Sequence, residues 1–279
     1  RPYEALTKAA SQLNPKAYEI HSKAVNPDLT DSSPAVQYQP GFAWPKNLPV
    51  KAFRYPIIVS NSTNREIDRG IVSFTLEEVD ADFDWSGISS DSLCLKDGED
   101  RDVLWQLDCF GAKLDMFDEI CFEISQLGAM KNRQYFLYIN RISNLPKTQT
   151  TVNCRELENG FEISNNMIRL VKNEPDGDFV DAFYFQDVLL GRYNPMIHQN
   201  QGQNLWTNAS QFVDYQVSRG PLRVLVHLRA KGGDESTIGS TQKTQDKPLA
   251  FLIEHRLAVY PDLPWFDTRF VRITNQSGV

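Results

Sequence analysis

The chain has 279 residues, 41% apolar and 11% aromatic, with a formal net charge of -7. That length predicts one large or two medium domains, and an acidic balance without a basic stripe excludes a nucleic-acid surface spread over the molecule. No run approaches the roughly 18 apolar residues of a membrane-spanning helix, so no membrane partner is expected. Residues 1–4 (Arg-Pro-Tyr-Glu) lack the apolar core of a signal peptide, and no compartment follows from them.

Along the chain, residues 3–25 carry Ala5, Leu6, Ala9, Ala10, Leu13, Ala17, Ile20 and Ala24 at helical spacing, with Pro15 as a kink and Pro27 as a stop. This helix has one apolar face and no second helix to receive it, which predicts a packing partner elsewhere. Residues 26–49 are rich in Pro, Ser, Asp and Gln and read as a linker. Period-two alternation then predicts strands over residues 53–60, 70–79, 103–110, 119–124 and 133–140, with Asp97-Gly98 as a hairpin turn. After the connector 145–150, further strands are expected over 160–164, 166–172, 182–190, 222–230, 249–260 and 265–274. Residues 192–206 and 231–247 read as polar loops. Short strands without intervening helices indicate antiparallel sandwiches. The last strand ends almost at Val279, so the second domain is expected to continue beyond this stretch.

Cys94, Cys109, Cys121 and Cys154 include no Cys-x-x-Cys pair and no histidine at zinc-ligand spacing. Buried free thiols are the simple expectation, with one disulfide between neighbouring strands left open. Sequons begin at Asn61, Asn208 and Asn275, and triplets this short do not fix a compartment. The P-loop, the dinucleotide fingerprint, the Gly-x-Ser-x-Gly elbow and the His-Glu-x-x-His helix are all absent. Glu77-Glu78 and Asp118-Glu119 are adjacent in predicted strands and point to opposite faces, so neither is a glycosidase carboxylate pair. Asp80, Asp82 and Asp84 form either an exposed acidic loop or a cluster of calcium-binding oxygens.

Several segments resemble the β region that follows the catalytic domain in glycoside hydrolase family 38 α-mannosidases. These are residues 57–65 (Ile-Ile-Val-Ser-Asn through Arg65), 103–108 (Val-Leu-Trp-Gln-Leu-Asp), 118–122, 133–138, and the Leu157-Glu158-Asn159-Gly160 opening of the second series. The resemblance implies an immunoglobulin-like sandwich over residues 51–148 and the first part of a galactose-mutarotase-like super-sandwich over 149–279. Residues 1–50 would then be the helical lead-in and linker. It also implies that zinc and the catalytic aspartate belong to a separate α/β domain, with no cofactor held by this chain. Trp206 through Gly220-Pro221-Leu222-Arg223 is similar instead to β domains of polysaccharide lyases and other polysaccharide-utilisation proteins. A fold-level likeness does not by itself assign a reaction.

Strand parity gives the site residues. On 222–230, Arg223, Leu225, His227 and Arg229 share one face; on 249–260, Glu254 and Arg256 do; on 265–274, Asp267 and Arg269 do. Were these strands neighbours, Arg223, His227, Arg229, Glu254, Arg256, Asp267 and Arg269 would line one surface. There arginines hold sugar carboxylates, and His227 and Glu254 are the candidate proton-transfer pair. Cross-strand ion pairs on a solvated face are the plainer reading of the same pattern. His255, among apolar neighbours, is expected to be a hydrogen-bonded core histidine. In the 192–206 loop, Tyr193, His198 and Trp206 with several amides suit a sugar subsite, since aromatic faces stack on pyranose rings; a polar loop tied down by its own side chains is the alternative.

The fold class expected is therefore mainly β. The function expected is that of a non-catalytic β region of an α-mannosidase-like glycoside hydrolase, with carbohydrate and the rest of the same enzyme as partners. A polysaccharide lyase or hydrolase with its own site on the second sheet is the first alternative, and a carbohydrate-binding module without catalysis is the second.

Overall fold

The computed structural model describes residues 53–275 apart from 140, 142, 147, 176–177, 195, 201–203 and 233–250. The expected helix over 3–25, the linker over 26–49 and most of the 231–247 loop lie outside the described residues. Mainly antiparallel β structure is found, and every strand pair among the described residues is antiparallel. Two compact units divide between Gln149 and Thr150, and Gly220–Leu222 belongs with the first.

The first unit contains β1 (Phe53–Ser60), β2 (Ile67–Thr75), β3 (Leu93–Asp97), β4 (Trp105–Asp108), β5 (Glu119–Leu127) and β6 (Asn132–Ile139). They form two three-stranded sheets, ordered β1-β6-β3 and β2-β5-β4. Alternation aims Tyr55, Ile57 and Val59 of β1, Val72 and Phe74 of β2, and Ile120, Phe122 and Ile124 of β5 into one shared core. Phe122 meets Tyr135 edge-on at 4.8 Å and Phe74 at 6.2 Å. Each fully buried aromatic or aliphatic side chain here contributes roughly 1.5–3 kcal/mol.

Two expectations need correction in this unit. The strand expected over 70–79 ends at Thr75, and Leu76–Val79 is one turn of helix. Its cause is a capping box: the Thr75 side chain accepts from Glu78 N–H, and the Glu78 carboxylate accepts from Thr75 N–H at 2.7 Å. The Asp97-Gly98 turn does form, with the Asp97 side chain accepting from the N–H groups of Glu99 and Arg101. It does not make a long hairpin, because β3 pairs with β6 and only Lys96–Asp102 bridges across the turn.

The second unit is a pair of five-stranded meanders. One comprises β7 (Asn153–Leu157), β8 (Gly160–Ser164), β9 (Ile168–Lys172), β10 (Val180–Phe185) and β11 (Val188–Tyr193). The other comprises β12 (Met196–Asn200), β13 (Asn204–Arg219), β14 (Val224–Gly232), β15 (Phe251–Val259) and β16 (Phe266–Asn275). The sheets face each other through Phe161 against Tyr215 and Phe183 against Phe266, with ring centroids 5.0 and 5.1 Å apart. Tyr215 also donates to the Gly160 carbonyl at 2.7 Å. A side chain at Gly160 would meet the Lys172 carbonyl at 2.2 Å, so only glycine fits there. Lys172 is itself fully buried and pairs with Asp181 at 2.9 Å.

This unit corrects three expectations. Its series begins one strand earlier than expected, at β7. The single strand expected over 182–190 is the hairpin β10–β11, turned at Gln186-Asp187 with φ of 47° and 66°. Both central residues are left-handed, as a two-residue hairpin turn demands, although neither is glycine. The 192–206 loop is also a hairpin, in which Met196–Asn200 pairs with Asn204–Asn208. β12 is the edge strand of its sheet, and its sequence Met-Ile-His-Gln-Asn carries no two-residue period that would reveal it. The four cysteines are free, Cys94 and Cys121 being buried.

Candidate functional site

Register brings the residues of the second sheet together. β14, β15 and β16 are successive neighbours, and residues directly opposite in an antiparallel pair share a face. His227 lies opposite both Gln216 and Arg256, Arg229 opposite both Asp214 and Glu254, and Arg256 opposite Arg269. Asp267 sits opposite Ala258 on the same face and is exposed. Arg272 enters through an irregularity: the β15–β16 register shifts between Glu254 and His255, so that Glu254 faces Arg272 rather than Val271. One extra residue in β16 therefore turns Arg272 onto a face that strict alternation denies it.

The side chains form a hydrogen-bonded chain across the three strands. Arg272 Nε donates to Glu254 Oε1 at 2.5 Å, His227 Nε2 lies 3.1 Å from Glu254 Oε2, and Arg256 Nε donates to His227 Nδ1 at a long 3.4 Å. His227, Glu254 and Arg256 are all buried. A guanidinium has no acceptor atom, so Nδ1 of His227 must carry the lone pair. The ring is then the neutral tautomer with its proton on Nε2, donated to Glu254. Burial, reinforced by the positive charge of Arg256, holds His227 below the ordinary histidine range against the pull of Glu254. Beside this chain Arg229 grips Asp214 through two parallel bonds, of which Nε to Oδ1 measures 2.6 Å. Arg223 is fully buried at the other end of the face and donates to the Tyr260 hydroxyl at 3.3 Å.

Chemically, this is an arrangement for holding guanidinium groups in place. Both ring nitrogens of His227 are engaged, and both oxygens of Glu254 already accept hydrogen bonds. His227 and Glu254 are also buried, so a substrate proton would reach either one only by displacing a partner already bonded to it. Asp214 and Arg272 complete the array, and neither was singled out from the sequence. Asp214 follows from pairing β13 with β14, whereas Arg272 has no period-two signal at all.

Of the expected aromatic and amide residues, Tyr193 does not join this face. Its hydroxyl lies 3.1 Å from His255 Nε2, and His255 stands on the opposite side of β15, between Ile253 and Leu257. The reason is parity: Glu254 and Arg256 point one way and His255 the other. His255 is completely buried, stacks on Phe179 at 5.2 Å and meets Phe270 edge-on at 4.6 Å, which makes it a core histidine. Burial, with His227 adding to it, holds its titration down at about 3. His198 and Trp206 face one another across the β12–β13 ladder, and the backbone is all that is described of them. Tyr193 and the arginine face therefore lie in two separate locations.

Among the described residues, no group of three or more His, Cys, Asp or Glu converges to hold a metal ion. The zinc implied by the α-mannosidase resemblance therefore has no donor set in the described part of this chain. The acidic run forms turns instead, with Asp80 accepting from Tyr55 and Asp84 capping Ser86. No helix among the described residues is long and apolar enough to cross a membrane. The sequon at Asn61 is structural: the residue is 1% exposed, and its Nδ2 donates to the carbonyls of Arg65, Leu127 and Gly128. Glycan attachment uses that same nitrogen, so the folded chain does not offer it. No protein-family model matches the sequence, and no curated protein matches it.

Proposed function

We propose that this chain is a non-catalytic β region of a carbohydrate-active enzyme of the α-mannosidase type. In this reading it buttresses the catalytic domain and contributes an arginine-rich face to carbohydrate binding. One observation carries the non-catalytic part: the Arg256–His227–Glu254–Arg272 chain engages every nitrogen and oxygen through which His227 or Glu254 would move a proton. The segments that resemble the family 38 β region support the enzyme class. The guanidinium groups of Arg229 and Arg269 on the same face support binding, because such forks recognise sugar hydroxyls and carboxylates. Zinc would belong to the remaining domains.

The test is calorimetric titration of the whole chain with mannose oligosaccharides and, in parallel, with oligouronates. Binding without turnover, weakened at least several-fold by Arg269→Ala, is expected. Absence of binding to either series overturns the carbohydrate reading. The 3.1 Å contact between His227 and Glu254 favours a lyase as the second reading. Ultraviolet-absorbing unsaturated uronates released by the chain, and lost in His227→Ala, would establish that reading in place of the first.

A further inference from the structure

The buried chain of donors and acceptors has only one member that changes role within the physiological pH range. Arg256 and Arg272 donate at every accessible pH. His227 accepts at Nδ1 and donates at Nε2 in its neutral form, but donates at both nitrogens once protonated. We propose that His227 is an acid-operated latch of the second unit: protonation turns the acceptor of Arg256 into a donor and releases Arg256 from the chain that ties β14, β15 and β16 together.

The surroundings set the direction. From β13, His227 is faced by Gln216, with Asp214 one position along the face. Its own strand brings Arg229, with Arg223 just before the strand begins, and β15 brings Arg256 directly opposite with Glu254 beside it. Behind them β16 brings Arg269, Arg272 and, further along, Asp267. His255 lies on the reverse face of β15. Arginines outnumber carboxylates on the face. Asp214 is already gripped by Arg229, and Glu254 already takes a 2.5 Å bond from Arg272. Protonation strengthens the His227–Glu254 bond, which exists in both states. It destroys the Arg256 bond and sets two N–H groups against each other in a buried place, next to an arginine charge. The depressed titration of His227, caused first by burial and then by Arg256, agrees with this balance.

The sign of the linkage follows. A histidine whose folded titration is lowered contributes stability that is present above about pH 6.5 and is lost as pH falls towards its folded value. His255, which titrates at about 3, contributes in the same direction from the other face, so the two must be separated.

The experiment uses the full chain. Long-range proton–nitrogen spectra of the imidazoles are recorded from pH 8 to pH 4, with the Arg256 Nε–H signal followed alongside, and thermal unfolding is measured at pH 7 and pH 5. Expected are a His227 proton on Nε2 alone at pH 7 and a shift or loss of the Arg256 Nε–H signal as His227 titrates. His227→Gln keeps an acceptor for Arg256 and a donor for Glu254 without titrating. Its folded-to-unfolded ratio should fall several-fold less between pH 7 and pH 5 than that of the parent, with the His255 share retained. A proton on Nδ1 at pH 7, an Arg256 signal indifferent to the titration, or an unchanged pH profile in His227→Gln overturns the proposal. Should the variant fail to fold, the spectra of the unsubstituted chain still decide it.

Discussion

His227 and His255 are buried on opposite faces of the same strands, and their surroundings differ in kind. His255 is enclosed by Phe179, Tyr193 and Phe270, with a single hydrogen bond to a phenol and an Nδ1 that has no partner among the described residues. His227 has an ionic partner at each nitrogen. Burial is the first cause that keeps each of them neutral, and for His227 the charge of Arg256 adds to it against the pull of Glu254. Burial alone therefore does not define a histidine's role: the first is a packing element that happens to be polar, the second a link whose removal leaves charges behind.

That contrast can be broken in order of expected effect. Glu254→Ala removes the carboxylate that holds both Arg272 and His227. Arg272 is 52% exposed and its charge stays in water, so the cost is that of the lost hydrogen bonds to a charged group, about 1.5–3 kcal/mol, to be read from urea unfolding at pH 7. If this variant is as stable as the parent, the ionic face is not a coupled array. On the other face His255→Phe keeps the ring stacked on Phe179 and loses one hydrogen bond, which is worth about 1 kcal/mol. Thermal unfolding should place it slightly below the parent at pH 7 and above the parent at pH 5, because it no longer competes with a protonated unfolded state. Parallel loss at both values would refute the assignment of His255 as a neutral core residue. The smallest effect belongs to Arg229→Ala. Arg229 and Asp214 are 43% and 41% exposed, so their pair is screened by water and its loss costs under about 1 kcal/mol. A larger loss in chemical denaturation would mean that Arg229 belongs to the buried chain after all.

Much of the strand pattern could be read directly, and the misreadings have identifiable causes. Strands rich in apolar and β-branched residues, such as β1, β5 and β14, advertise themselves by composition and a two-residue period. Thr75-Leu76-Glu77-Glu78 is a capping box in plain view, but the apolar alternation running into it outweighed a four-residue signal. Gln186-Asp187 makes a hairpin turn without the glycine that normally marks one. Asn61 reads as a glycosylation acceptor in one dimension and is a loop-organising amide in three. In the candidate site, the grouping of His227, Arg229, Glu254, Arg256 and Arg269 was legible because it needs only parity and neighbouring strands. Arg272 was not, since a bulge moves it between faces, and the contact of Tyr193 with His255 was not, because it depends on how two sheets stack.

The sequence by itself determined that the chain is mainly β, where most strands lie, and which side chains of a strand share a face, because these follow from a local two-residue period. Tertiary structure alone decided which strands are neighbours, where a bulge reverses the period, and which nitrogen of His227 carries its proton. Those depend on partners distant in the chain, and a hydrogen bond is defined by both of its ends.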